Sequence, residues 1–186
     1  MRTVHEISVG DTASMTREVT ETDLVLFAAA CGDTNPIHFD QAYAEGTFFK
    51  GRIAHGMLCA GFISAVIAGQ LPGLGTVYVT QSLKFRAPVR IGDRITAEVE
   101  ALEVDTERNR VRLRTLCRNQ DGTVVVDGEA LVMPPKRKIA PEALRAMEER
   151  KKALEESLWN AREAFMSRRL EARQAVMDAL EEGDEA

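Results

Sequence analysis

The sequence predicts an α+β fold: an antiparallel sheet wrapped around one central helix, followed by a long charged helix. Three observations carry this. Residues 55–69 are apolar nearly all round, as a buried helix is. Four strand patterns follow one another between residues 76 and 133 with no helix between them, which argues against alternating βαβ units. Beyond residue 135, Gly183 is the only glycine, and Lys, Arg, Glu, Ala and Leu dominate with helical spacing.

Taken in chain order, Thr20-Glu21-Thr22-Asp23 has the form of a capping box and opens a helix through Leu24, Leu26, Phe27 and an alanine run. Gly32 stops it. Residues 33–38 read as a loop, and Asp40 to Gly46 as a short turn. The helix His55–Gly69 follows, with Met57, Leu58, Ala60, Phe62, Ile63, Val66 and Ile67 covering most of its surface, and Leu71-Pro72-Gly73 ends it. Thr76–Phe85 is rich in Val, Tyr and Thr, as strands are. Ile95–Ala101 alternates apolar residues with Thr96, Glu98 and Glu100, and the next strand alternates Val111, Leu113, Thr115 and Cys117 with arginines. Thr123–Met133 closes the series. Turns at Ile91-Gly92-Asp93, Thr106–Asn109 and Asp121-Gly122 make the last three strands a meander whose glutamates and arginines can pair on the solvent face.

Met133-Pro134-Pro135-Lys136-Arg137-Lys138 reads as a linker, dividing a domain over 1–135 from a helical extension over 136–186. Pro141 suits a first helical turn, and the helix continues to about Leu180. Leu144, Met147, Leu154, Leu158 and Phe165 take heptad a and d positions with Ala161, interrupted by Lys151 and Arg168. Only alanines continue the seam past residue 170, where the end is expected to fray. The extension is expected to pack on its own domain, to cross a dimer as a coiled coil, or to dock a partner.

Composition narrows the function. The 186 residues carry net charge −5 with a pI near 5.4, which excludes a chain-wide basic face for nucleic acid. No apolar run reaches the ~18–20 residues of a spanning helix, and MRTVHEISVGDT has no signal-peptide core. Cys31, Cys59 and Cys117 are odd in number, without metal-type spacing, and read as small packing residues of a cytoplasmic protein.

Chemistry concentrates in Cys31-Gly-Asp-Thr-Asn-Pro-Ile-His38. Asp33 and His38 stand five apart in a stretch stiffened by Pro36, which can aim both side chains into one cleft. A carboxylate and an imidazole together can hold a water and handle its protons separately. On spacing alone, Asp33 is equally an ordinary turn residue and His38 a satisfied loop histidine.

The stretch Phe27-Ala-Ala-Ala-Cys-Gly-Asp-Thr-Asn-Pro-Ile-His38, then Ala44, closely resembles the hydratase-2 motif of the MaoC-like (R)-specific enoyl-CoA hydratases. Ile53-Ala-His-Gly-Met-Leu58, Gln81-Ser-Leu-Lys-Phe85 and Pro88-Val-Arg-Ile-Gly-Asp93 resemble the same family in the same order, so the likeness spans roughly residues 5–133. Ala30 departs from the motif, where a larger aliphatic residue or glycine is usual. The resemblance implies the hot-dog fold, with Asp33 and His38 as catalytic dyad for reversible syn hydration of trans-2-enoyl-CoA to (R)-3-hydroxyacyl-CoA. It also implies a homodimer or higher homo-oligomer. No metal or redox cofactor is implied, CoA being part of the substrate.

Charge developing on the thioester oxygen needs a donor, and the Gly56 backbone N–H at the start of the buried helix is the candidate, unless Gly56 only permits close packing. Asn35 is expected to brace the loop. Ser64 is expected either to hydrogen-bond near the water or to back-bond to its helix. His55 is expected to cap that helix or bond the backbone. Two alternatives stay open: a dehydratase acting on 3-hydroxyacyl thioesters of acyl carrier protein, and a non-catalytic acyl-thioester-binding scaffold.

Overall fold

Helix α4 (Gly56–Gly69) is the axis on which the fold is built, and a five-stranded antiparallel sheet curls around it in the hot-dog arrangement. The computed structural model describes residues 1–184; the side chains of residues 173, 174 and 176–184 lie outside the described set. Strand order is β1-β3-β4-β5-β2, with β1 Thr12–Glu18, β2 Val77–Phe85, β3 Arg94–Asp105, β4 Arg110–Arg118 and β5 Val124–Met133. The meander β3-β4-β5 forms as its alternation predicts. Ile95, Ala97, Val99 and Ala101 of β3, with Val111, Leu113 and Cys117 of β4, are buried toward Cys59, Phe62, Ile63, Val66 and Ile67 of α4. Each large aliphatic residue buried there contributes about 1.5–3 kcal/mol. On the outer face Arg118 reaches Glu98 at 3.5 Å and Arg112 reaches Glu103 at 2.7 Å. Such exposed pairs are worth about 0.2–1 kcal/mol each.

Four features depart from the sequence reading. Strand β1 went unforeseen: its seven residues mix Ala13 and Met15 with polar and charged side chains, and its place is set by pairing with β3, from Thr12 opposite Glu100 to Glu18 opposite Arg94. Residues 36–46 are two short helices, α2 (Pro36–Phe39) and α3 (Gln41–Gly46), rather than a loop and a turn. Asn35 and Asp40 cap them by accepting from the Ile37 and Tyr43 amides. Helix α4 is not covered all round: Met57 is 54% exposed and Gly61, Ala65 and Ala68 also face outward. Cys31 is exposed at the end of α1 (Glu21–Cys31), while Cys59 and Cys117 pack in the core. The start of α1 is as read, with Thr20 and Asp23 forming the capping box and Gly32 closing the helix at φ 80°.

The chain forms two units, Met1–Lys138 and a second beginning at Ile139. In the first, Lys138 pairs with Glu6 at 2.6 Å. The second is α5 (Pro141–Asp184), a 44-residue helix about 66 Å long. The helix runs past residue 170, where fraying is expected from the sequence, and past Leu180, where its end is expected. No helix among the described residues is long and apolar enough to cross a membrane.

Candidate active site

Gly32 turns the chain out of α1 in the left-handed conformation that glycine adopts without penalty, and the next residue is Asp33. Its Oδ1 accepts from the Asn35 amide at 3.2 Å, and Asn35 in turn caps α2. Pro36 occupies the first turn of α2, where its missing N–H costs nothing, and His38 follows two residues on. The five-residue spacing is therefore bridged by an Asx turn and one helical turn, which fold Asp33 and His38 back on each other. Asp33 Oδ2 lies 3.8 Å from His38 Nε2; the carboxylate is half exposed while His38 is 7% exposed.

His38 Nδ1 faces the Ile53 carbonyl at 2.8 Å. A carbonyl only accepts, so Nδ1 carries the proton in neutral His38, and Nε2 presents its lone pair toward Asp33. Two acceptors at 3.8 Å do not bond directly, but one water can donate to both. His38 is held further by Arg52, whose Nε donates to the His38 carbonyl at 2.8 Å while its Nη2 grips both carboxylate oxygens of Glu21 at 2.9 Å. Arg52 and Glu21 carried no signal in the sequence, because their 31-residue separation is closed only by the fold.

His55 precedes α4 as its cap residue, but its side chain makes no capping bond. Its Nε2–H donates to the Asp33 carbonyl at 3.0 Å, its ring stacks on His38 at 3.8 Å, and Phe27 packs against it at 5.0 Å. The ring is 2% exposed, and Nδ1 is buried without a hydrogen-bond partner among the described residues. Burial holds its pKa below the usual 6.5, first by desolvating the charged form, with His38 adding to the effect against the Asp33 carbonyl and carboxylate. The unfolded chain therefore takes up a proton as pH falls through 6.5 while the folded chain does not, so stability drops on that side. Melting temperatures followed from neutral pH to below 6.5 are expected to fall, and less so in His55→Gln, which keeps a donor toward the Asp33 carbonyl.

Asp33, His38 and His55 bring ligand-capable atoms within 4.8 Å of one another.

Gly56 is the first residue of α4, and its N–H donates to no acceptor among the described residues. A Cβ there would stand 2.8 Å from the Phe85 ring. Gly56 also lines an apolar cleft of about 480 Å³ with Phe48, Ile53, Met57, Phe85 and Pro88. Ser64 sits two turns along α4, half-buried, and makes no hydrogen bond among the described residues, so the back-bond to its own helix is not formed. The structure thus gathers Asp33, Asn35, His38 and His55 into one cluster and sets Gly56, next to His55 in the chain, in the lining of the cleft.

The MaoC like domain model matches residues 6–119. An (R)-specific enoyl-CoA hydratase of Rhodospirillum rubrum is 52% identical over 132 residues, which cover 71% of this chain and 91% of that protein. A 3-hydroxybutyryl-CoA dehydratase of Methylorubrum extorquens is 49% identical over 141 residues, 75% of this chain and 89% of its own length. Among solved structures, the unliganded R-hydratase PhaJ1 from Pseudomonas aeruginosa superposes with TM-score 0.68 at 49% identity, covering 74% of this chain and 91% of that one.

Proposed function

The chain belongs to the MaoC-like domain family, and on that premise we propose that it catalyses reversible syn addition of water to a trans-2-enoyl-CoA, giving (R)-3-hydroxyacyl-CoA. The observation that carries this reading is the pair of acceptors, Asp33 Oδ2 and His38 Nε2, 3.8 Å apart, with the His38 tautomer fixed by Ile53.

A water between the two donates one hydrogen to each. As its oxygen bonds to C3, the C2=C3 π pair moves toward C2 and negative charge spreads to the thioester oxygen. His38 Nε2 takes one water proton and returns it to C2 on the same face, while the other stays on the new hydroxyl; no atom is gained beyond the water. Asp33 orients the water and balances the transient imidazolium. The free Gly56 N–H, aligned with the α4 dipole, is the donor for the thioester oxygen. Asn35 holds Asp33, and His55 sets the Asp33 backbone and shields one face of His38. Ser64 is assigned a supporting place two turns along α4. The reaction needs neither metal nor redox cofactor, since the substrate brings CoA with it.

The apolar cleft beside Gly56 suits the acyl-thioester arm. Gly56→Ala keeps the N–H but drives a methyl into the Phe85 ring. Phe85 is 55% exposed and can swing aside, so stability is expected to change by less than about 1 kcal/mol while turnover falls roughly 10–100-fold. Thermal melting beside steady-state kinetics separates the two effects.

A homodimer is the working assembly. Edge strand β2 pairs on one side only among the described residues; Val77, Val79 and Phe85 on it are 49%, 44% and 55% exposed, and Phe85 lines the same cleft as Met57. The cytoplasm is the assigned compartment, on the free cysteines and the absence of a spanning helix among the described residues.

The test compares hydration of crotonyl-CoA with that of the crotonyl thioester of acyl carrier protein, following loss of the enoyl-thioester absorbance. Faster turnover of the CoA ester is expected. Turnover of the carrier-protein thioester alone would make the chain a carrier-protein dehydratase, and turnover of neither would leave an acyl-thioester-binding scaffold.

A further inference from the structure

Helix α5 lies beyond the residues the family model matches, and it carries its own pattern. Met147, Leu154, Leu158 and Phe165 are 40%, 57%, 60% and 37% exposed. With Leu144 they follow the a/d spacing of a coiled-coil seam, which Ala161, Ala172 and Ala175 extend. The positions flanking that seam are ordered. On one side stand Glu148 and Glu155, then Arg162 and Arg169; on the other stand Arg150, Ser157, Ala164 and Glu171. Each flank changes sign, or loses charge, about the middle of the seam.

We propose that α5 pairs antiparallel with α5 of a second copy of this chain, in the register that sets Leu154 against the partner's Phe165 and Leu158 against the partner's Ala161. Antiparallel helices bring like flanks together. Glu148 then meets the partner's Arg169, Glu155 the partner's Arg162, and Arg150 the partner's Glu171; two-fold symmetry repeats each contact. Every charged flanking position from 148 to 171 finds an opposite charge, and the two left over, Ser157 and Ala164, face each other. A parallel pair does worse. It stacks Lys151 on Lys151 and Arg168 on Arg168, and of the flanks only Arg150 and Glu155 are complementary.

The antiparallel register places Lys151 opposite Arg168, the one unfavourable layer. Both side chains can lead their charge out of the seam: Lys151 already reaches Glu155 at 3.5 Å, and Arg168 Nε reaches the Ala164 carbonyl at 3.2 Å. Arg162 lies over the Trp159 ring at 5.4 Å, which holds its guanidinium on the flank where the partner's Glu155 arrives. The pairing rests on α5 alone and stands apart from the hydratase reading.

The test uses the full chain with exposed Cys31 replaced by serine, carrying Leu154→Cys, Phe165→Cys or both, oxidised and run on a non-reducing gel. Residues 154 and 165 are about 16 Å apart along one helix, too far for a bond within a chain. Antiparallel pairing gives a covalent dimer from the double variant and background from each single one. Dimers from the single variants would mean a parallel pair, and no dimer from any of them would mean no pairing; either result overturns the proposal. A second measurement reverses the flanks. In the double-cysteine variant, Glu148→Arg with Glu155→Arg is expected to lower the yield of covalent dimer, and adding Arg162→Glu with Arg169→Glu to restore it, while circular dichroism reports that every variant is folded. A yield unchanged throughout would also overturn the proposal.

Discussion

Asp33→Asn is expected to lower the turnover of enoyl-CoA hydration by roughly 10²–10⁴-fold while leaving the melting temperature close to that of the wild type. The substitution is nearly isosteric. The new amide oxygen can still accept from the Asn35 amide, as Asp33 Oδ1 does at 3.2 Å, and the residue 33 carbonyl still accepts from His55 Nε2 at 3.0 Å. What disappears is the negative charge and the second acceptor facing His38 Nε2. The water is then poorly oriented, and a positive charge on His38 is no longer balanced. His38→Ala is expected to lose activity at least as steeply, with some stability as well, because His38 is buried and bonded to Ile53. Near-normal turnover in Asp33→Asn would remove the carboxylate from the chemistry.

The largest stability effect is expected at Gly128. It stands on β5 opposite Leu83 of β2, and a Cβ built there runs into the Ser82 backbone carbonyl, which is fixed by the strand pairing. Backbone cannot swing aside as the Phe85 ring can. Gly128→Ala is expected to cost on the order of 3 kcal/mol, or about 10 °C in melting temperature for a domain of this size. Gly46→Ala serves as its control: nothing lies within 4 Å of a Cβ there, its φ is not positive, and a change within ~0.5 kcal/mol is expected. Thermal melts of the two variants beside the wild type make the comparison. Equal melting temperatures would show that β2 and β5 can separate enough to admit a methyl group.

The elements that could be read from the sequence carried local signals. The capping box at Thr20, the left-handed Gly32, the alternation of β3 and β4, and the apolar run of α4 are each contained in a few adjacent residues. Strand β1 has no such signal, since one neighbour and its register against β3 decide its conformation. The short helices α2 and α3 hide behind turn-forming residues: Asn35 and Asp40 are as suited to capping a helix as to opening a turn, and nothing local decides between them. At α4, composition overstated burial, because Met57, Ala65 and Ala68 are as apolar as their neighbours although the sheet covers only one face.

The same limit applies at the candidate site. Asp33, Asn35 and His38 are near in sequence, so their grouping was readable. The Arg52–Glu21 clamp, the His38–His55 stack and the Phe85 ring over Gly56 join distant segments and emerge only once the chain is folded. In α5 the reverse holds, because heptad position and charge order are properties of the sequence itself.

The most direct test of the central claim is the stereochemistry of the product. The full chain is incubated with crotonyl-CoA in water, and the configuration at C3 of the 3-hydroxybutyryl-CoA is assigned by chiral chromatography of the released acid. With Asp33 and His38 presenting water to one face of C3, the expected result is the (R) product alone. An (S) or racemic product would contradict a single water held by this pair, and with it the assigned mechanism.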